Sequence, residues 1–168
     1  MFSVPEYSQY LDIVLEEWKS RSCGIVSLQM ILEYTLHKKF DGDELIKRGL
    51  ALDGFILGVG WKHQALVDIA HDLGCDAQRY DWVMLDDQEA LGRLKEMLMV
   101  GPIIVSIYSN LDPSTKNGHL VVVTGIERGK VFYNDPATKI REDIKRSAPI
   151  EEFMKGWKKR AILISKKN

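Results

Sequence analysis

The sequence predicts an α+β fold, with helices in the first part of the chain and antiparallel strands in the second. Before Gly101, apolar side chains recur at the spacing of amphipathic helices. From Pro102 onward, apolar runs of strand length alternate with turn residues. No repeat, low-complexity segment or linker rich in Pro, Gly or Ser divides the 168 residues. We therefore expect a single domain over residues 1–168.

The clearest predicted helix begins at Ser22-Cys23-Gly24. Ser22 is a favoured N-cap residue, which would place Cys23 in the first turn, and apolar residues follow at helical spacing. Further helices are predicted at 43–49, 63–73, 88–99 and 150–157. Residues 1–20 look irregular, with one short helical turn over 12–18, and the glycine-containing segment 54–60 is predicted to be a mobile loop.

The strands are predicted from short apolar runs in the second part of the chain. They cover residues 102–108, 119–126, 131–134 and 161–165. Residues 109–118 form a loop rich in turn residues, and 127–130 form a hairpin turn. Helices followed by antiparallel strands make the domain α+β.

Charge and cysteine content exclude several classes of protein. Lys and Arg total 23 and Asp and Glu total 24, so no basic excess indicates a nucleic-acid or membrane-surface partner. The two cysteines, Cys23 and Cys75, do not form a disulfide framework, and Cys75 is expected to be a buried or idle thiol. The first residues lack the pattern of a signal peptide, and no apolar run is long enough to span a membrane. We expect a cytoplasmic location unless an export signal has been removed.

Cys23 has part of what a nucleophile needs. The thiolate is the reactive form, and the partial positive charge at a helix N-terminus favours it. Gly24 would leave room beside the thiol for a substrate backbone. A lone cysteine at a helix start is nevertheless more often a buried apolar residue, so a base from elsewhere in the chain is required.

His119 is the candidate base among four histidines. It opens a very apolar strand directly after a loop, so the strand would hold the ring rigidly while the loop leaves it reachable. His37 lies at the far end of the Cys23 helix. His63 and His71 have no Cys, Asp or Glu spacing beside them that would make a metal site, and we expect no metal or cofactor.

The residue that orients His119 is either Asn134 or Asp135, since both side chains can accept a hydrogen bond from the imidazole. A two-residue turn at 128–129 would pair residues whose numbers sum to 257, which places Asn134 on the His119 face. A three-residue turn or a bulge reverses this choice. Either residue of this Asp-Pro segment could also serve only as a turn former.

Acyl transfer also needs donors for the oxyanion. The backbone N–H of Cys23 is one, and the side-chain amide of Gln9 is the candidate for the second. Gln9 could equally be an ordinary surface glutamine.

Taken in order, these segments resemble the bacteriocin-processing (double-glycine leader) peptidases and their family thirty-nine-like relatives, within the papain-like cysteine peptidases (clan CA). The resemblance covers nearly the whole chain. The segments that carry it are Val4-Pro5 with Gln9, Cys23-Gly24 with Met30, Gly118-His119 through Gly125, and Asn134-Asp135-Pro136. It implies a papain-like fold, with the nucleophile at a helix N-terminus and the helical part packed on a C-terminal antiparallel sheet.

The same resemblance implies roles for four residues: Cys23 as nucleophile, His119 as base, Asp135 as its orienting group and Gln9 as oxyanion donor. It implies a bacterial thiol protease that hydrolyses a peptide or protein through an acyl-enzyme. The sequence departs from the leader peptidases in three ways: the spacing from Gln9 to Cys23 is wider, Ser22 stands where they often carry an acid, and their accompanying transporter portion is absent. The third departure counts against bacteriocin maturation and favours the looser peptidase-like group.

Other functions are compatible with the pattern. Acyl transfer to an amine and deamidation use the same three residues. A peptide-binding or interaction domain could keep the fold without turnover, and an unrelated α+β domain would leave Cys23 and His119 far apart.

Overall fold

The computed structural model describes all residues, 1–168, and its centre is a six-stranded antiparallel sheet. A separate two-stranded hairpin is formed by β1 (Phe55–Ile56) and β2 (Gly60–Trp61). The strands of the large sheet are β3 (Cys75–Asp81), β4 (Ile103–Tyr108), β5 (Gly118–Glu127), β6 (Lys130–Asn134), β7 (Lys145–Pro149) and β8 (Trp157–Lys166). Their order is β3-β8-β4-β5-β6-β7, so β3 and β7 are the edges.

Six α-helices accompany the sheet. They are α1 (Gln9–Asp12), α2 (Cys23–Leu36), α3 (Gly42–Ala51), α4 (His63–Asp72), α5 (Asp87–Met97) and α6 (Ile150–Gly156). The predicted turn over 12–18 is replaced by α1 and a 3-10 helix at Glu16–Trp18. None of these helices has the length and apolarity needed to cross a bilayer.

The apolar residues of the sheet pack on both of its faces. Leu120 and Val122 of β5 belong to the larger core cluster, which they share with α2, α3 and α4. Val121 and Val123 belong to the second cluster, together with buried residues of α5 and α6. This alternation explains why β5 reads as an uninterrupted apolar run in the sequence: both of its faces are buried.

Two strands and one hairpin differ from the sequence-based expectations. β3 and β7 were not predicted, because most of their side chains are at least partly exposed at the sheet edges and carry no strong apolar period. The segment 54–60 was predicted to be a loop and forms the β1–β2 hairpin instead. β8 also begins earlier than predicted, at Trp157.

A β-bulge interrupts the pairing of β5 with β6. Near the hairpin turn, Glu127 pairs with Lys130 and Gly125 with Phe132, as expected for a two-residue turn at 128–129. The register then shifts between Val123 and Gly125, so Val122 faces Asn134. One extra residue, Thr124, is thus inserted in β5 and changes which residues of the two strands share a face.

Candidate active site

Cys23 is the first residue of α2, as predicted, but Ser22 does not cap the helix with its side chain. The Ser22 hydroxyl instead donates to the backbone oxygen of Trp18 at 2.8 Å. The Ser22 hydroxyl therefore accepts no hydrogen bond from the first backbone N–H groups of α2. The partial positive charge of these groups acts beside the Cys23 thiol. Cys23 itself is half-buried.

Gly24 has a different role from the one expected. It is buried, and a Cβ at this position would lie 3.0 Å from Leu120 Cδ1 and 3.2 Å from Trp61 Cβ. The missing side chain therefore lets α2 approach β5 and Trp61 closely. It does not open space for a substrate.

His119 and Asp135 form a hydrogen-bonded pair. The distance from His119 Nε2 to Asp135 Oδ1 is 2.7 Å, and both side chains are about nine-tenths buried, at 10% and 9% exposure. Cys23 and His119 lie close enough that each shifts the pKa of the other: His119 lowers that of the Cys23 thiol, and Cys23 raises that of His119. The structure therefore brings together the three residues that the sequence selected from separate segments.

The bulge at Thr124 decides between Asn134 and Asp135. Since Val122 faces Asn134, one more step in the same register places Asp135 opposite Val121, on the face that it shares with His119. Asn134 points elsewhere: its amide donates to the backbone oxygen of Pro5 at 3.4 Å and is buried.

Asp135 has two further partners that were not predicted. Its Oδ1 also accepts from the backbone N–H of Ala137 at 2.8 Å, and its Oδ2 lies 3.5 Å from Arg146 Nη1. Arg146 comes from the edge strand β7, where it pairs with Tyr133 of β6. No local motif marks an arginine on an unpredicted strand.

The electrostatics of the site favour a charged pair of Cys23 and His119. Burial raises the pKa of the Cys23 thiol, but the hydrogen bond and charge of His119 and the backbone N–H groups of Leu120 and Gly24 lower it below its usual value. Burial likewise lowers the pKa of His119, yet Asp135 and Cys23 raise it to about 10. The pKa of Asp135 is lowered in spite of burial, chiefly by His119 and also by Ala137 and Arg146.

Gln9 lies at the start of α1, next to the segment that carries Asp135. Its backbone N–H donates to the oxygen of Pro136 at 2.9 Å, and the Ser8 hydroxyl donates to the oxygen of Thr138. The Gln9 side chain is buried, with 3% of the residue exposed, and its Oε1 accepts no hydrogen bond within the chain. The unpaired atom is an acceptor, so it does not itself support the expected role of Gln9 as oxyanion donor.

Three aromatic rings form a cluster beside the start of α2. Trp61 packs against Trp18 and Phe55, with ring centroids 5.6 Å and 5.3 Å away. Its indole N–H donates to the backbone oxygen of Arg21 at 2.8 Å, and it is 6% exposed. Trp61 therefore fixes the turn that precedes Cys23 and is a packing residue.

Cys75, the other cysteine, lies away from these residues at the start of β3. It is 2% exposed, and burial raises the pKa of its thiol. It is a buried thiol, as expected, and its chemistry differs from that of Cys23.

The fold defined by these elements is that of the papain-like cysteine peptidases. It is shared with a double glycine motif protease from an AMS/PCAT transporter, solved in complex with the leader peptide, at 21% identity, with coverage of 98% of this chain and 93% of that chain and a TM-score of 0.67. It is also shared with the peptidase domain of Streptococcus ComA, a bifunctional ABC transporter of a quorum-sensing pathway (17% identity, coverage 88% and 93%, TM-score 0.66). A proposed C39-like peptidase from Bacillus anthracis has 19% identity, coverage of 99% and 96%, and a TM-score of 0.70.

The chain belongs to the Peptidase_C39 like family, whose family model matches residues 1–162. This places it in a class of cysteine peptidases and confirms the family suggested by the ordered motifs. No curated protein matches the chain in sequence.

Proposed function

We propose that this chain is a cysteine-dependent peptidase in which Cys23, His119 and Asp135 form a catalytic triad. The observation that carries the proposal is the position of His119, which is hydrogen-bonded to Asp135 at 2.7 Å and lies near enough to the Cys23 thiol for the two groups to shift each other's pKa. This is the arrangement in which a base activates a nucleophile and a third group holds the base in one orientation. Family membership supports the same reaction class.

The residues would act in a fixed order. The Cys23 thiolate attacks the peptide carbonyl carbon, and the carbonyl oxygen becomes an oxyanion that accepts hydrogen bonds from the Cys23 N–H and the Gln9 amide. Collapse of this intermediate breaks the C–N bond, while protonated His119 gives its proton to the leaving amine. His119 then takes a proton from water, which attacks the thioester and releases the acid. Throughout, Asp135 stabilises the imidazolium and orients its ring.

The substrate we propose is a peptide or protein segment. The related transporter protease was solved with a leader peptide, which supports a peptide as the ligand of the same fold here. We further propose that residues 1–168 act as one peptidase-like domain, because one sheet takes strands from Cys75 through Lys166 and the family model spans residues 1–162. A noncatalytic peptide-binding domain is the alternative, and it gives no reason for the lowered pKa of Cys23.

The test is the rate of alkylation by iodoacetamide as a function of pH, in the wild type and in variants. We expect a fast phase that persists below about pH 7, because the thiolate–imidazolium pair exists between the lowered pKa of Cys23 and the raised pKa of His119. Cys23→Ala should abolish this phase and His119→Ala should slow it.

Cys75→Ala is the matched control, since that thiol is buried and has a raised pKa, and it should leave the fast phase unchanged. If the alkylation rate of Cys23 instead rises as for an ordinary thiol, with a midpoint at about pH 8.5, the result would contradict the proposal and favour the binding domain. A positive result would be followed by peptide turnover assays.

A further inference from the structure

A group of basic side chains borders the candidate active site on the side of β8 and β3. We call Arg79, Lys158 and Arg160, whose charges all act on the imidazole of His63, the basic patch. Lys158 and Arg160 lie at the start of β8, and Arg79 lies near the end of β3, where Asp81 pairs with Arg160. His63 begins α4, which packs over these strands.

The positive charge of this patch is only partly compensated. Arg160 Nε donates to Asp81 Oδ2 at 3.1 Å. Arg79 has no carboxylate within 4.0 Å, and its Nε donates to the neutral amide of Gln64 at 3.0 Å. Lys158 also has no carboxylate partner, and its ammonium lies 4.9 Å from the centroid of the Tyr108 ring. Three cations and one anion leave an excess of two positive charges.

The pKa of His63 reflects the positive electrostatic potential around it. Burial lowers the pKa of its imidazole, and the charges of Arg160, Arg79 and Lys158 lower it further, while Asp81 opposes them. His63 is therefore held neutral and adds no further charge, yet the cations around it make the surroundings favourable for an anion.

Short contacts connect the basic patch to the catalytic residues. Lys158 Nζ lies 3.3 Å from the position that a Cβ of Gly118 would occupy, and Gly118 directly precedes His119. On the other side, Trp61, two residues before His63, is in contact with Gly24, which follows Cys23. Lys158 of the patch thus lies beside the segment that carries the base, and His63 is two residues from a side chain that packs beside the nucleophile.

We propose that the basic patch is a substrate subsite that binds an anionic side chain, one or two residues from the scissile bond. The proposal rests on the proposed peptidase function. Each residue of an extended peptide spans about 3.3–3.6 Å, so a side chain one or two residues from the scissile carbonyl lies within about 7 Å of it along the chain. Lys158 stands beside Gly118, the residue before His119, which places its charge next to the segment that carries the base. Gly118 is exposed, Arg79 is exposed and Lys158 is half-buried, so the cations are available to a ligand.

The function of this subsite would be selection between substrates. Ion pairs that remain in contact with water contribute modestly to affinity, but an uncompensated field beside a cleft increases the rate at which oppositely charged ligands arrive. Peptides with Glu or Asp at the matching position would therefore be preferred over neutral or basic ones.

The experiment uses four tetrapeptide chloromethyl ketones that carry Glu or Gln as either the second or the third residue from the ketone, with Ala and Gly elsewhere. The measured quantity is the second-order rate constant for loss of the Cys23 thiol. We expect the Glu probe to react about threefold to tenfold faster than its Gln partner at one of the two positions at low ionic strength. About 1 M salt should bring the ratio close to one, because it screens exposed charges.

Two variants and one matched control localise the effect. Lys158→Gln and Arg79→Gln should each reduce the Glu-to-Gln ratio, and neither removes a carboxylate contact from the fold. Lys130→Gln makes the same change of net charge at the opposite end of β5, beside the hairpin turn, and should keep the wild-type ratio.

Iodoacetamide, a small neutral reagent, separates this proposal from the one on which it rests. If Cys23 reacts rapidly with iodoacetamide but the Glu-to-Gln ratio is about one at both positions, the subsite is wrong and the peptidase proposal stands. The subsite is equally wrong if Lys130→Gln lowers the ratio as much as Lys158→Gln does. If Cys23 reacts slowly with iodoacetamide, both proposals are wrong.

Discussion

Asp135 illustrates how much of the site depends on the partners of one residue. Its carboxylate receives hydrogen bonds from His119 and from the backbone of Ala137, and Arg146 stands 3.5 Å from its second oxygen. A buried carboxylate would otherwise have a raised pKa, and these three partners lower it instead. The ionised carboxylate is the form that best accepts a hydrogen bond from the protonated Nε2 of His119.

Arg146→Gln should change the pH dependence of the site. Without this cation the pKa of Asp135 rises, so the carboxylate becomes protonated at a higher pH and the fast alkylation of Cys23 is lost earlier on acidification. Arg146 is the smallest of the contributions that lower this pKa, so we expect a modest shift of the acidic limb of the profile to higher pH and little change at about pH 7.5. The measurement is the pH profile of the iodoacetamide rate.

Arg146→Lys is the matched control, because it keeps the charge and should restore most of the acid side of the profile. Equal profiles for the wild type and Arg146→Gln would show that Arg146 serves only the packing of β7.

At the scale of elements, the interior of the fold was more predictable than its edges. α2 and β5 carry strong apolar patterns because they pack against each other and against further layers, so Cys23 and His119 could be chosen from sequence. β3 and β7 are half-exposed edge strands, and the residues they bring to the site, such as Arg146, could not be found. The bulge at Thr124 lies beside Gly125, and a glycine inside a strand pattern is itself a sign of a bulge. The register predicted from the turn alone did not include this signal, so the choice between Asn134 and Asp135 stayed open.

The register of β5 and β6 predicts unequal effects for two neighbouring alanine substitutions. Asp135→Ala removes the acceptor for His119 and should slow the fast phase of Cys23 alkylation by about tenfold or more below about pH 7, because the imidazolium loses its partner. Asn134→Ala removes only the long hydrogen bond to Pro5 and should leave the profile of the folded protein unchanged.

Both variants should first be compared by circular dichroism, so that rates refer to folded protein. An equal slowing by the two substitutions would contradict the register and indicate a general loss of structure around the end of β6.

At the scale of the whole molecule, the first fifteen residues connect parts of the fold that are distant in sequence. Phe2 donates to the oxygen of Thr124 at 2.8 Å, Gln9 donates to Pro136, and the N–H groups of Val14 and Leu15 donate to the carboxylate of Asp43. This segment therefore touches the bulge, the Asp135 segment and α3. The position of Gln9 depends on all of these contacts together.

Glu33 anchors the same N-terminal segment and gives a test of its contribution to stability. Its buried carboxylate accepts from the Tyr7 hydroxyl at 2.9 Å, from the Phe40 N–H at 2.9 Å and from Lys39 at 3.0 Å. In Glu33→Gln, one oxygen is replaced by an NH₂ group that faces donors. We expect the free energy of unfolding in urea to fall by about 1–3 kcal/mol.

Glu17→Gln makes the same chemical change at an exposed position and should alter stability little. If the two variants unfold at the same urea concentration, the Glu33 network contributes nothing beyond an ordinary surface charge.

The Thr124 bulge also bears on how the separation of His119 and Asp135 should vary among family members. Here the two residues are 16 positions apart, an even number, because the bulge adds one residue to a hairpin with a two-residue turn. A relative that has the same turn and no bulge must use an odd separation to bring the two side chains to one face. An insertion of one residue between them should therefore occur only together with a second change of parity, in the bulge or in the length of the turn. Among relatives with a two-residue turn, an even spacing thus indicates a bulge and an odd spacing indicates its absence.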